Sequence, residues 1–285
     1  MAVNISQFIA AGVDQVQWGV LDSTGYFMGT AGTLANGADA GMGLIVGTKT
    51  ADYSIPDPVR NNATGDDRRL VTFQFDSQDP SAFTLEIAGP DMALIAKATG
   101  KSPRVLSDWD MGLLRPGSLT FSNICLLMAS QAKSAESGSF GNPGFANMLL
   151  PRVEMLYQGR TGITEQGVHV AKFSCIVNPS DVWPWGEALT IAVDGDTQAD
   201  GVEWFSENRV SMHAFAGDAA DVAITLTYEP AAETTNKVKD WQAGTALVYG
   251  AGAGKFTVVA ATKILTYGTA PGAAVKNVVL YEYVE

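Results

Sequence analysis

The sequence predicts a mainly β protein. Apolar residues recur with a period of two along most of the chain. Gly and Pro punctuate those runs at short intervals. Only one segment carries a helical period.

Val16, Trp18 and Val20 alternate with Gln15, Gln17 and Gly19, which marks a half-buried strand with one core face. Val71, Phe73 and Phe75 alternate with Thr72 and Gln74, and Phe83, Leu85 and Ile87 with Thr84, Glu86 and Ala88. Further strands are expected at 122–132, 152–158 and 168–177; in the last, His169, Ala171, Phe173, Cys175 and Val177 share a face. The one helix opens at Pro90 and Asp91, both suited to a first turn, with Met92, Ile95 and Ala96 on one face. Gly100 and Pro103 end it. Two or three turns are not stable alone, so the helix needs a sheet to pack on.

Two long stretches, 29–66 and 133–147, read as irregular, with a possible strand near Gly43–Gly47 in the first. Leu44, Ile45, Val46, Tyr53 and Ile55 are apolar islands there, and an arm docking on a neighbour is expected. A second unit begins near residue 206. Val222, Ile224, Leu226 and Tyr228 alternate, and short strands follow at 245–249, 256–260, 263–267 and 275–284, the spacing of a small sandwich or barrel. The chain thus divides into units 1–205 and 206–285, and 285 residues at 46% hydrophobic supply a core for each.

Thirty acidic residues face eighteen basic ones, a net charge of −12. That argues against a basic nucleic-acid-binding surface. Residues 1–205 carry a net −10 and residues 206–285 a net −2, so the acidity belongs to the first unit. No run of about 18 apolar residues occurs, and Met1 to Asp14 hold no basic residue, so neither a transmembrane helix nor a secretory signal is expected. Cys125 and Cys175 each sit in an apolar run and read as buried thiols of a reducing compartment.

Chemistry-bearing motifs are weak. Tyr249 to Phe256 approaches a phosphate loop, but Tyr249 stands where the pattern needs Gly and Phe256 where it needs Ser or Thr. Asp194 to Asp200 approaches a calcium loop, but Ala199 replaces the turn glycine and the bidentate Glu is not in place. His169 and His213 read as core residues, and no strained nucleophile elbow appears. Asp66-Asp67 before Arg68-Arg69 reads as a charged interface or surface cluster rather than a catalytic carboxylate pair. The expectation is a protein with no catalytic site, metal or cofactor.

Several segments, in order, resemble the major tail protein, or tail tube protein, of long-tailed non-contractile bacteriophages. They are Ile55-Pro56-Asp57-Pro58 leading to Gly65 through Leu70 and the strand Thr72 to Phe75; Ser81 to Glu86 before the helix at Asp91; Cys125 to Met128 before Gln131 to Ser134; and Val177-Asn178-Pro179-Ser180 with Trp183-Pro184-Trp185-Gly186. The resemblance covers roughly residues 10–205. Phe215 to Asp218, Ile224 to Leu226, Val238 to Gly244, Phe256 to Val258 and Ala270 to Tyr281 resemble a small β-module appended to phage tail and fibre proteins, although Asp240-Trp241-Gln242 stands where alternating apolar residues are usual.

The resemblance implies a tail-tube-type β-sandwich or barrel with one flanking helix, and an outer C-terminal β-module. It implies a structural virion protein, built in the host bacterial cytoplasm, whose six-fold rings stack into the tail tube. Implied partners are further copies of itself, the tape measure, terminator and distal tail proteins, and double-stranded DNA passing without specific binding; no membrane is involved. Leu44, Ile45, Tyr53, Ile55, Asp66, Asp67, Arg68, Arg69, Trp183 and Trp185 are then candidate contacts between subunits or rings. Asp14, Asp22, Glu86 and Glu154 are candidate acids facing the lumen. Four inner strands from each of six subunits, spaced about 4.8 Å and tilted about 40°, give a backbone diameter of roughly 48 Å and a bore near 38 Å. Duplex DNA, roughly 20 Å across, passes such a bore; a negative wall would keep it centred and mobile. A competing reading is a capsid decoration protein or glycan-binding adhesin, with Trp241, Tyr267, Tyr281 and Tyr283 as sugar platforms. A hydrolase is a distant third.

Overall fold

In the computed structural model, the residues described are 8–22, 27, 42–45, 48–51, 59–65, 68–75, 81–88, 92–99, 105–106, 109–110, 122–136, 139–161, 170–183, 200–234, 237–273 and 275–284. The elements up to residue 206 are β1 (Phe8–Val20), β2 (Met42–Ile45), β3 (Thr48–Ala51), β4 (Val59–Gly65), β5 (Arg68–Phe75), β6 (Ala82–Ala88), α1 (Met92–Thr99), β7 (Val105–Leu106), β8 (Trp109–Asp110), β9 (Ser122–Glu136), β10 (Ser139–Thr161), β11 (Val170–Val177) and β12 (Val202–Ser206). The protein is mainly β, with one short α-helix among the described residues.

One antiparallel sheet runs β2-β1-β9-β10-β11-β6-β3, and β12 joins it alongside β10. It curls until β3 lies beside β1. Pairs β4–β5 and β7–β8 stand as separate ribbons. The alternation seen in sequence sets the faces. Val16, Trp18 and Val20 meet Phe83, Leu85 and Ile87, Phe173 and Cys175, and Val153 and Met155 in the first core. The helix adds Leu94, Ile95 and Ala98 to that core, while Ala96 is half-exposed, so its buried stripe sits one step away from the expected one. Gly12, at φ 71°, and Gly159, at φ 109°, stand at the register shifts of β1 and β10, in a left-handed region that bulges favour and side chains disfavour.

The stretch 133–147 is not irregular. It is the closing end of a hairpin in which Glu136 pairs with Ser139 and Lys133 with Pro143. Pro143 is tolerated because β12 flanks β10 only over Phe145–Leu149, so the missing N–H falls where β10 has one neighbour. The stretch 29–66 also contributes to its own chain's sheet. β2 pairs with β1, β3 pairs with β6, and Ile45 is buried in the first core.

Nine further strands follow: β13 (Arg209–Ala216), β14 (Ala223–Thr225), β15 (Glu229–Pro230), β16 (Val238–Gln242), β17 (Thr245–Ala246), β18 (Val248–Tyr249), β19 (Lys255–Val259), β20 (Ile264–Tyr267) and β21 (Lys276–Val284). They form two small sheets, β13-β21-β16-β17 with β15 alongside β21, and β14-β20-β19-β18. Phe215, Val238, Phe256, Val258, Leu265, Val279 and Tyr281 fill the core between them. Sheet membership therefore changes between Ser206 and Arg209.

A third core joins the two units. Cys125, Leu127 and Leu149 on the outer face of β9 and β10, with Leu21 and Phe27, pack against Val210, Met212, Ala214, Trp241 and Val278. This explains why Ile124 to Met128 is apolar without alternation: β9 is buried on both faces there.

Candidate functional site

Two surfaces of the large sheet have distinct chemistry. The first is the seam carrying the C-terminal unit. Gln17 reads the edge of β13, its Oε1 accepting from the Met212 N–H at 2.8 Å and its Nε2 donating to Ser211 Oγ at 3.1 Å. The Tyr283 hydroxyl donates to Gln15 Oε1 at 2.8 Å. Asp14 holds Arg209 in a fork, Nε to Oδ2 at 2.5 Å and Nη2 to Oδ1 at 3.1 Å, and accepts from Gln131 Nε2 at 3.3 Å. The Arg209 hydrogen bond holds the Asp14 carboxyl below the usual carboxylate range, against the opposing effect of burial. At the other end of the seam Lys276 Nζ meets Asp22 Oδ2 at 2.6 Å. A cavity of about 470 Å³ opens along the seam between Trp183, Trp204, Trp241 and Leu149, with Lys239 on its wall.

The second surface is the outer face of β6, β11 and the later half of β10. Register sets its rows: Glu86 beside Lys172; Thr84, Ser174 and Leu156; then Ala82, Ile176 and Glu154. Apart from exposed Ala82 these residues are half-buried, and among the described residues no element packs on them. Glu86 lies 3.6 Å from Lys172, an open pair worth about 0–1 kcal/mol. Arg152 donates to Asn123 Oδ1 at 3.4 Å beside the Glu154 row. Among the side chains described, this face therefore balances two acids against two bases.

The expected site residues separate. Asp14 and Asp22 lie in the seam, paired across it, and so present no free charge to a channel. Glu86 and Glu154 lie on the second surface. Leu44 is exposed, whereas Ile45, at 3% exposure, packs in the first core of its own chain. Trp183 is half-buried against the core of the seam. Arg68 and Arg69 stand on β5 opposite Gly65 and Thr64. Tyr53, Ile55, Asp66, Asp67 and Trp185 lie outside the described residues, as do His169, Asp194 and Asp196.

The weak motifs resolve as structure. Tyr249 to Phe256 is the tight link between the parallel strands β18 and β19, with Gly250, Gly252 and Gly254 at positive φ. Asp200 accepts from Ser81 Oγ at 3.4 Å, and the described residues contain no group of three metal-ligating side chains. Both cysteines are buried and unpaired, and burial pushes the Cys175 thiol up to about 12, so neither is a poised nucleophile. Trp241, Tyr267, Tyr281 and Tyr283 are each at most 7% exposed, which removes them as sugar platforms. Sequence reasoning missed Gln15, Gln17, Arg209 and Lys276, because polar residues on the outer face of a strand look the same whether water or another unit covers them.

Neither a protein-family model nor a curated protein matches the chain.

Proposed function

We propose that this chain is a structural virion protein whose copies close into six-fold rings and stack into a phage tail tube, through which DNA leaves. The observation that carries the reading is the placement of the two surfaces around one curled sheet. The C-terminal unit rests on β1, β9 and the early half of β10, and the bare face spans β11, β6 and the later half of β10. From β9 to β11 is two strand positions of the seven in the curled path, a rotation of roughly 100° if the curl is complete. The appended unit thus stands roughly at right angles to the bare face and leaves that face open to line a bore.

The bare face covers three strands, and β3 continues the sheet beside β6 to give the run β10-β11-β6-β3; four such strands from each of six subunits would give a bore of roughly 38 Å. Its charge balance changes the expected reason for low friction. Phosphates bind where a protein surface offers surplus Lys and Arg; the described rows of β6, β11 and later β10 set Lys172 and Arg152 against Glu86 and Glu154, so a negative excess is not needed there to keep DNA moving. Among the described strands β2 and β3 end the path of the large sheet, and a cyclic head-to-tail contact would pair such edges identically in every subunit.

Electron microscopy of the concentrated protein tests the reading. Stacked rings with a central hole near 38 Å are expected. Monomers at every concentration, alone and with tail extract from a lysed infected culture, would overturn it.

A further inference from the structure

The core of the C-terminal unit contains a buried polar group that its apolar surroundings do not explain. His213, Val279 and Asp240 form one register row across β13, β21 and β16, so their side chains leave the same face, toward β20. Asn277 lies two residues before Val279 on that face, and Tyr267 faces the row from β20. His213, Asp240, Asn277 and Tyr267 are each at least 97% buried. His213 Nε2, both Asp240 carboxylate oxygens, Asn277 Oδ1 and the Tyr267 hydroxyl find no hydrogen-bond partner. Five such atoms in one small core are unusual, since a fully unpartnered one costs about 1–3 kcal/mol; the Tyr267 hydroxyl and the Asp240 carboxyl lie close to each other, whereas His213 Nε2 and Asn277 Oδ1 have no such neighbour among the described residues.

The row also separates the two ionisable groups. Two strand spacings put His213 and Asp240 roughly 10 Å apart at the backbone, with Val279 between them, too far for an ion pair. Other titratable groups facing this core are Tyr267 from β20, Tyr281 and Tyr283 from β21, and, at its edge, Tyr228 stacked on Tyr283 and Tyr249 from β18. Arg209 lies at the far end of β13 in the grip of Asp14, Lys239 turns to the opposite face of β16, and Lys255 of β19 is exposed. No described charge is therefore placed to stabilise either an imidazolium or a carboxylate in this core, and an unpaired buried charge is strongly disfavoured.

We infer that folding of the C-terminal unit relocates a proton from His213 to Asp240, so that the two buried neutral groups cancel each other's effect on stability as pH changes. In the unfolded chain at mildly acid pH, Asp240 is an anion and His213 a cation. In the folded chain Asp240 is a carboxylic acid and His213 a neutral imidazole. One proton leaves the imidazolium and one joins the carboxylate, so no net proton enters or leaves solvent. Burial moves the groups in the needed directions. It lifts Asp240 to about 7, against the opposing pull of the Tyr267 hydroxyl and the Trp241 N–H. It lowers His213 to about 4.

The signs follow from linkage. Asp240, raised on folding, contributes stability below its unfolded value of 3.8 that is lost as pH rises to about 7. His213, lowered on folding, costs stability below about 4 that is regained as pH rises to 6.5. Between about pH 4 and 6.5 each shifts the folding constant tenfold per pH unit, about 300-fold in all, in opposite directions.

The experiment is chemical denaturation of the full chain across about pH 4 to 7 for wild type, Asp240→Asn and His213→Gln. The folding constant of D240N relative to wild type is expected to rise about 300-fold between about pH 4 and 6.5; that of H213Q relative to wild type is expected to fall by a similar factor. Parallel profiles for all three proteins would overturn the inference. Should either variant fail to fold, NMR of labelled wild type at about pH 5.5 decides instead. A neutral imidazole and a protonated carboxyl support the inference, and an imidazolium or a carboxylate at these positions refutes it.

Discussion

The attachment of the C-terminal unit rests on a test at Asp14. Asp14→Asn keeps the shape of the side chain and removes the charge that grips Arg209. The pair is neither open nor fully enclosed: the Asp14 side chain is 12% exposed and that of Arg209 21%. Open pairs contribute about 0–1 kcal/mol, whereas breaking a buried pair costs about 3–5 kcal/mol. A forked, charge-assisted contact at this depth is worth about 2 kcal/mol, or roughly 30-fold in the equilibrium that docks the unit. The lowered Asp14 carboxyl adds a sign. It contributes stability above its unfolded value of 3.8, and that contribution fades as pH falls through the lower folded value. The gap between wild type and D14N is therefore full near neutrality and closes in strong acid. Urea titrations read through tryptophan emission suit the assay, because Trp183, Trp204 and Trp241 surround the seam. A double-mutant cycle with Arg209→Gln isolates the pair. Coupling below about 0.5 kcal/mol, or a gap that persists unchanged in strong acid, would refute the assignment of Asp14 to docking.

Other positions give sharper local tests. Gly43 lies opposite Trp18, and a Cβ there would stand 2.6 Å from indole Cε2; because that ring is 2% exposed and cannot move aside, Gly43→Ala should lower stability by about 1–3 kcal/mol in a denaturation curve. Gln17→Leu strips the buried Met212 N–H of its acceptor and should cost about 1–3 kcal/mol, with faster hydrogen exchange at Met212. Cys125 and Cys175 should resist a thiol reagent in the folded protein and react together on unfolding; rapid modification without unfolding would contradict their burial. Deleting residues 33–52 removes β2, β3 and the buried Ile45, so the isolated chain should lose its cooperative unfolding transition in calorimetry.

The elements legible in the sequence were those whose faces differ. Phe83, Leu85 and Ile87 alternate because one face of β6 meets the core and the other is half open, and that contrast is written in the residues. The hairpin over 133–147 was hidden by its composition. Gly, Ser and Pro there give no alternation, and the pairing is imposed by the strong strands that lead into it and out of it. The helix was found, but its stripe was set by where the sheet lies, which put Leu94 and Ala98 inside. The seam was the least legible feature. Gln17 and Ser211 are 194 residues apart, and neither has a local signal for the other. Asp240 was visible only as a break in an apolar pattern, and its meaning depends on His213 two strands away.

The acidity of the chain gains a different meaning from these placements. Asp14 and Asp22 are spent on docking, and Glu86 faces Lys172, so among the four expected wall acids Glu154 is the one without an ion pair among the described residues. If the bare face lines the bore, its low grip on DNA comes from balance, and a single reversal breaks that balance. Glu154→Lys turns the face net positive by two and repeats the change in every subunit of a ring. Each lysine that neutralises a phosphate adds about 0.9 to the slope of log affinity against log salt. Tubes of E154K should therefore retain duplex fragments at low salt and release them steeply as salt rises, while wild-type tubes retain little at any salt. Glu154→Gln controls for shape and should retain much less than E154K. Tubes of E154K that form normally yet hold no more DNA than wild type would place Glu154 away from the lumen and remove this face as the wall.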